Sequence, residues 1–315
     1  MAPVDVRAAF EELGLGPSLV AGRVRSRCPF CPADKAGDSL SADPDGGGWL
    51  CHRCGETGNV FTLRRRLRGA SSVKPPAGAV AEPEEGKVVP EEAVARLEAG
   101  LAASPRARAW LEGNRRIPEA AWREARLGFD PALGGGAVAI PYFLGGRCVG
   151  VKYRRLEDGA DPKYLREPGC VLPLYGQDSL EGKFGKAVVV EGELDRITLL
   201  LYGCPHPVVS LPDGASAGLK DAARQALVPF DELVLAHDSD EAGDKGALKM
   251  SGEVGRFRCR RARLPRKDAN DCLKAGVPAA DVLAAIDGAA PLAESSVKPV
   301  GWNWKRMIGK PGFEL

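Results

Sequence analysis

No stretch of this sequence approaches the roughly 18 apolar residues of a membrane span, and the amino terminus has no signal-peptide core. A membrane protein and a secreted product are set aside, and the expectation is a soluble, cytoplasmic protein. An excess of one charge is also missing. With 44 basic and 42 acidic residues the net charge is +2, so bulk charge selects no partner. The nine cysteines are odd in number, which argues against a disulfide framework. Gly-x-x-x-x-Gly-Lys-Ser/Thr occurs nowhere, which removes the phosphate loop of P-loop motors. From Gly69 to Pro90 there is no aromatic residue, and four prolines fall among glycines and alanines. Such a segment buries too little surface to fold and reads as a flexible linker, 69–90. The chain of 315 residues is long enough for two or three units, divided there.

What precedes the linker is organised around cysteine. Cys28-Pro29-Phe30-Cys31 and Cys51-His52-Arg53-Cys54 are two CxxC knuckles with 19 residues between them. Each knuckle aims two thiolates at one tetrahedral ion, so Cys28, Cys31, Cys51 and Cys54 are expected to hold one structural zinc, closed to catalysis. Gly55 and the Gly46–Gly48 run supply turns around it. His52 would be a fifth donor and is expected to point outward, either idle or touching a base. Trp49 and Phe61 read as packing for a small core more than as stacking platforms. Met1 to Leu15 reads as a short amphipathic helix. The other five cysteines have no ligand spacing and read as small buried hydrophobes.

Beyond the linker, helical patterning covers Glu91–Leu101 and Pro105–Arg126. Strand-like runs at 137–143 and 148–154 flank a Gly145-Gly146 turn, which predicts a hairpin. Lys152 and Arg154 alternate with Val151 and Tyr153, and Lys163-Tyr164-Leu165-Arg166 continues the basic character. From Ala187 the pattern alternates: strands 187–190, 208–211, 232–237 and 257–264, with helices 193–202, 215–227 and 241–254 between them. Short connections and alternation predict a parallel α/β sheet with right-handed crossovers. Arg256 to Lys267 carries seven basic residues and no acid, and a strand there would place Arg256, Arg258 and Arg260 on one face.

Two of these strands end in acid. Val188-Val189-Val190 runs into Glu191-Gly192-Glu193-Leu194-Asp195, and Asp238-Ser239-Asp240 follows 47 residues after Glu191. Ligands bind at the carboxyl ends of strands in an open parallel sheet, where loops converge. Glu191, Asp238 and Asp240 would share a negative pocket there, suited to a hard ion such as magnesium. A third acidic signal stands at Lys267-Asp268-Ala269-Asn270-Asp271. Glu193 and Asp195 read as further metal or supporting groups, or as plain acids at a helix start.

The order of these parts resembles the Toprim-type DNA primases. Val188–Asp195 looks like the Toprim glutamate motif, Asp238–Gly243 like its Asp-x-Asp motif, and Lys267–Asp271 like the Lys-Asp-Ala-Asn segment of phage-type primases. The cysteines and Gly55–Phe61 resemble the primase zinc ribbon, in the four-cysteine form of phage primase–helicases rather than the Cys-Pro-Phe-His of bacterial DnaG-type enzymes. Gly150–Arg154, Pro162–Leu165 and Leu174–Gly176 look like the basic subdomain before Toprim. The resemblance implies an α/β fold: a zinc-ribbon template-recognition domain at 1–68, a basic subdomain at 91–185, and a Toprim catalytic domain at 186–288. A tail at 289–315, disordered or docking, carries Trp302–Arg306.

It implies a DNA-templated RNA polymerase making short primers, with single-stranded DNA and ribonucleoside triphosphates as partners. Two magnesium ions, replaceable by manganese, would sit on Glu191, Asp238 and Asp240, with Asp268 as a further ligand by family analogy. Lys152, Arg154, Lys163 and His52 would meet nucleotide or template. The missing motor loop implies a helicase acting in trans. The competing readings are a Toprim nuclease and a non-catalytic zinc-ribbon protein that binds single strands or adapts a helicase.

Overall fold

The computed structural model describes residues 5–31, 37–44, 48–68, 88–157, 159–215 and 217–292. The turn expected at 46–47, the linker as far as 87 and the tail from 293, with Trp302–Arg306, lie outside the described residues.

The amino-terminal unit is a five-stranded antiparallel sheet between two helices. It runs α1 (Val6–Glu12), β1 (Ser18–Val20), β2 (Arg23–Ser26), β3 (Leu40–Ala42), β4 (Gly48–Cys51), β5 (Thr57–Asn59) and α2 (Val60–Arg68), with the strands in chain order. Asp5 caps α1 by accepting from the Ala8 amide at 2.9 Å. Val6, Ala9 and Phe10 turn one face of α1 onto Leu40, Trp49 and Leu63, forming a core of its own. Trp49 is fully buried and donates to the Asn59 carbonyl at 2.9 Å, so it is a packing residue as expected.

The middle unit begins with α3 (Glu91–Ala103), α4 (Pro105–Arg108) and α5 (Glu119–Glu124). A single helix over 105–126 is not formed. A π-turn at Ala109–Asn114 follows α4, Arg116 has a φ of 57°, and Pro118 disfavours helix at the residue before it. Next come β6 (Gly128–Asp130), β7 (Ala137–Leu144), β8 (Arg147–Arg155) and β9 (Tyr164–Arg166), an antiparallel meander. Val89, expected in the linker, is buried here and donates its amide to the Cys148 carbonyl at 2.9 Å. The described residues 88–90 therefore belong to this core.

The last unit is β10 (Gly185–Val190), α6 (Glu193–Leu201), β11 (Val208–Ser210), α7 (Asp221–Leu227), β12 (Phe230–Leu235), α8 (Glu241–Val254), β13 (Cys259–Arg261), α9 (Ala269–Lys274), α10 (Ala279–Asp287) and β14 (Ala290–Pro291). Its strand order is β11-β10-β12-β13-β14, parallel except for β14. Ala187 to Val190 are fully buried, as a central parallel strand covered on both faces requires. Three sequence expectations need correction. Helix 215–227 starts only at Asp221, since Gly214 (φ 73°) stands just before its expected start, Gly218 falls in its first turn and Glu253 accepts from the Leu219 amide. Residues 256–258 form a 3-10 turn rather than strand, so Arg256, Arg258 and Arg260 share no exposed face; Arg258 is buried on the carbonyls of Val254, Leu227 and Phe230. The start of the supposed tail is sheet, with Leu292 buried.

The ribbon unit is seated on this sheet. The Asn59 side chain donates to the carbonyls of Phe230, at 3.0 Å, and Val228. Arg65 pairs with Asp231 at 2.6 Å, and Phe61 stacks on Phe184 at 5.7 Å. All these partners lie at the amino end of β10 and β12, opposite the ends that carry Glu191 and Asp238.

Candidate active site and metal centres

The four cysteines meet. Cys28 Sγ lies 3.7 Å from Cys54 Sγ, and Cys31 Sγ lies 3.6 Å from Cys51 Sγ. A tetrahedral zinc with bonds of about 2.3 Å sets its sulfurs about 3.8 Å apart, so the cluster fits zinc. Burial alone would push the Cys51 thiol up. The amides of Cys54 and Arg53, which donate to its sulfur, and a hydrogen bond between that sulfur and the Ser39 hydroxyl outweigh this and bring it down to about 6. Gly55, at φ 75°, turns the chain away so that its amide bonds the Cys51 carbonyl. His52 is exposed and is no ligand; burial and the charges of Arg25 and Arg23 lower its pKa.

The second centre lies where β10 and β12 end side by side. Val189 pairs with Leu235, so the segments following both strands emerge at the same edge. Glu191 accepts from the Asp238 amide at 3.1 Å, and the Ser239 amide donates to the Lys267 carbonyl at 2.6 Å, which stitches the three acidic segments together. Asp240 caps α8 by accepting from the Gly243 amide at 2.9 Å. The turn is tight: a Cβ on Gly243 would lie 2.1 Å from the Asp238 carbonyl oxygen. Asp268 caps α9 in the same way, through the Asp271 amide at 2.6 Å.

Carboxylate oxygens of Asp195, Asp238 and Asp268 lie within 4.8 Å of one another. Burial, then the charge of Asp268, raises Asp195 well above the usual carboxylate range. The same two causes raise Asp238, and burial with the charge of Asp238 raises Glu191. Asp240 is different: hydrogen bonds from the Gly243 amide and Lys267 lower it. Lys267 reaches Asp240 at 3.0 Å and Asp238 at 3.3 Å, balancing part of the charge. Three converging carboxylates are an all-oxygen donor set that fits a hard divalent cation.

A cleft of about 610 Å³ opens over this cluster and is also lined by basic side chains. Lys163 lies 5.9 Å from the centre of the Tyr164 ring, and burial with the charges of Arg154, Arg115 and Lys267 lowers its pKa. Arg154 stands over the rings of Trp110 and Tyr164 at 5.6 and 5.5 Å. Lys152 is already committed. Its ammonium meets buried Glu193 at 2.7 Å and the Pro212 carbonyl at 2.8 Å, and the Tyr142 hydroxyl donates to the same carboxylate.

A family model described as Toprim-like matches residues 188–273. Over 90 residues the chain is 41% identical to a DNA helicase/primase of Enterobacteria phage T3, a match covering 28% of this chain and 16% of that protein. A DNA primase of Synechococcus elongatus is 37% identical over 147 residues, covering 42% of this chain and 21% of the relative. The zinc-binding and RNA polymerase domains of the Aquifex aeolicus primase superpose with a TM-score of 0.54 at 19% identity, covering 96% of this chain and 87% of that one. The chain carries a Toprim-like domain and is similar to DNA primases. It spans only a minor part of the length of the two curated relatives.

Against the Toprim frame, the residues named from sequence fall into groups. Asp238 and Asp268 converge, and Glu191 is joined to them through the Asp238 amide. Asp240 faces Lys267 instead, while Arg154 and Lys163 flank Tyr164 and His52 stays on the ribbon. Asp195, left open between helix acid and ligand, is the third member of the cluster. Arg166, part of the basic segment noted from sequence, also lines the cleft; sequence reasoning missed Arg115 there, and the structural part of Asn270. The Asn270 amide donates to Asp195 at 3.0 Å, and its side chain donates to the Arg115 carbonyl and to the Thr198 hydroxyl. Asn270 stood inside a quoted motif, whereas Arg115 had no signal. No helix among the described residues is long and apolar enough to cross a membrane.

Proposed function

We propose that this chain is a DNA primase that joins ribonucleotides into short RNA primers on single-stranded DNA. The observation that carries the reading is the convergence of Asp195, Asp238 and Asp268 in a cleft also lined by basic side chains, in a chain that carries a Toprim-like domain and is similar to DNA primases. In primer synthesis a 3′-hydroxyl attacks the α-phosphate of a nucleoside triphosphate and pyrophosphate departs. Divalent cations held by Asp195, Asp238 and Asp268, with Glu191 beside them, would supply charge stabilisation to the attacking and leaving oxygens. The chain's own part is placement. Lys163, Arg115 and Arg166 offer cationic groups to a triphosphate or template backbone in the cleft that the carboxylates also line. Tyr164, held between Lys152, Arg154 and Lys163, offers a ring to a base. The zinc ribbon, with His52, Arg23 and Arg25 on one exposed face, is assigned to template reading, and a helicase is assigned to act in trans.

The test is an incubation with single-stranded DNA, four ribonucleoside triphosphates and magnesium. Short labelled oligoribonucleotides are expected. Shortened DNA would replace this reading with a nuclease, and binding without either product would replace it with an adaptor.

A further inference from the structure

Two buried arginines stand three positions apart around β13 and do similar chemistry at opposite ends of β12. Arg258 gathers the carbonyls of Val254, Leu227 and Phe230, at the end away from the acidic cleft. Arg261, only 6% exposed, gathers those of Leu235 at 3.1 Å, His237 at 2.9 Å, Ala262 at 2.7 Å and Asp238 at 2.6 Å. Its outer edge meets one carboxylate, Asp244 on α8, at 3.1 Å.

The carbonyls of Leu235, His237 and Asp238 belong to the segment that leaves β12 and delivers Asp238 and Asp240. On the other side of that segment the amides are already spent: Asp238 on Glu191 and Ser239 on the Lys267 carbonyl. One guanidinium therefore holds the carbonyl side of the turn while the acidic segments hold the amide side. A planar fork with five donors can serve four backbone oxygens and a carboxylate at once, which a lysine ammonium cannot.

We infer that Arg261 is a positioning residue for the acidic site, fixing the turn that aims Asp238 at Asp195 and Asp268. This rests on reading that cluster as the cation-holding centre. Groups that orient metal ligands change metal affinity by about 10- to 100-fold when removed.

The experiment measures Mn2+ binding by calorimetry, and amide exchange over residues 236–243, in wild type, R261Q, R261K and R258Q. R261Q is expected to bind Mn2+ about ten-fold more weakly and to exchange faster in that segment, with R261K intermediate. R258Q is expected to melt earlier while keeping wild-type Mn2+ affinity, which separates positioning from general stability. If R261Q does not fold, D244N, which frees the outer edge of the fork, should shift affinity in the same direction by a smaller factor. Wild-type affinity and exchange in R261Q, or in D244N where R261Q fails to fold, would overturn the inference. So would an equal loss of affinity in R258Q. Failure of wild type to bind Mn2+ would instead overturn the reading of the acidic centre, and exchange over 236–243 would still judge Arg261.

Discussion

Asp195 concentrates the electrostatic cost of the site. Burial and Asp268 raise its pKa, so the fold holds its proton more tightly than the unfolded chain does. The sign follows from linkage: a carboxyl with a raised folded pKa makes stability fall as pH climbs from the ordinary carboxylate value, about 3.9, through the raised one. In EDTA, Asp195→Asn should therefore melt higher than wild type at neutral pH, with the gap closing toward pH about 4. Calorimetry across pH checks this, and a gap that widens in acid would contradict it. Cys51 is the corresponding residue of the other centre. Cys51→Ser should lose zinc, seen by metal analysis, and increase amide exchange across Val24, Leu40 and Trp49, which pack in the same small core. That the two CxxC pairs meet in one cluster fit for zinc was legible in the sequence, because the ligand spacing is local. That Asp195 joins Asp238 and Asp268 was not, because it depends on how α6 and α9 pack against each other.

At the scale of elements, β8 and α6 are bolted together by a buried ion pair. Glu193 is 2% exposed, and the Lys152 side chain is 13% exposed. Removing one partner of such a pair leaves a buried charge, a loss of about 3 kcal/mol or more. Lys152→Ala should destabilise by that amount in urea unfolding. Lys163→Ala, which removes an ammonium standing 5.9 Å from the centre of the Tyr164 ring, should leave unfolding unchanged and raise the KM for nucleotides. Equal stability of the two variants would contradict this division. Alternation along β8 showed both lysine and arginine as candidate phosphate contacts, yet periodicity alone is blind to a carboxylate 41 residues away. The acidic strand ends were legible for the opposite reason, since a valine run that ends in glutamate marks both strand and edge. Arg258 and Arg261 stood out only as members of a basic run, because nothing in a sequence reveals an arginine saturated by carbonyls.

Across the whole molecule, the ribbon sits at the amino end of β12 and the carboxylates lie past its other end. Six strand residues at about 3.3 Å each separate them by roughly 20 Å. Asn59, Phe61 and Arg65 make the seat, so ribbon and sheet should unfold together in the intact protein. Phe61→Ala combined with Arg65→Ala should split a single calorimetric transition into two, and one unchanged transition would show that the seat contributes little to stability. This docking was not legible from the chain, whose linker composition indicated only separable units.

The central claim is that the carboxylates past β10 and β12 make phosphodiester bonds. Its most direct test is dinucleotide synthesis on a single-stranded template by wild type and Asp238→Ala, both checked for folding by circular dichroism and for single-strand binding. Wild type should form the dinucleotide in magnesium, and the variant should form none while still binding template. Equal rates from the two proteins would place the chemistry elsewhere in the molecule.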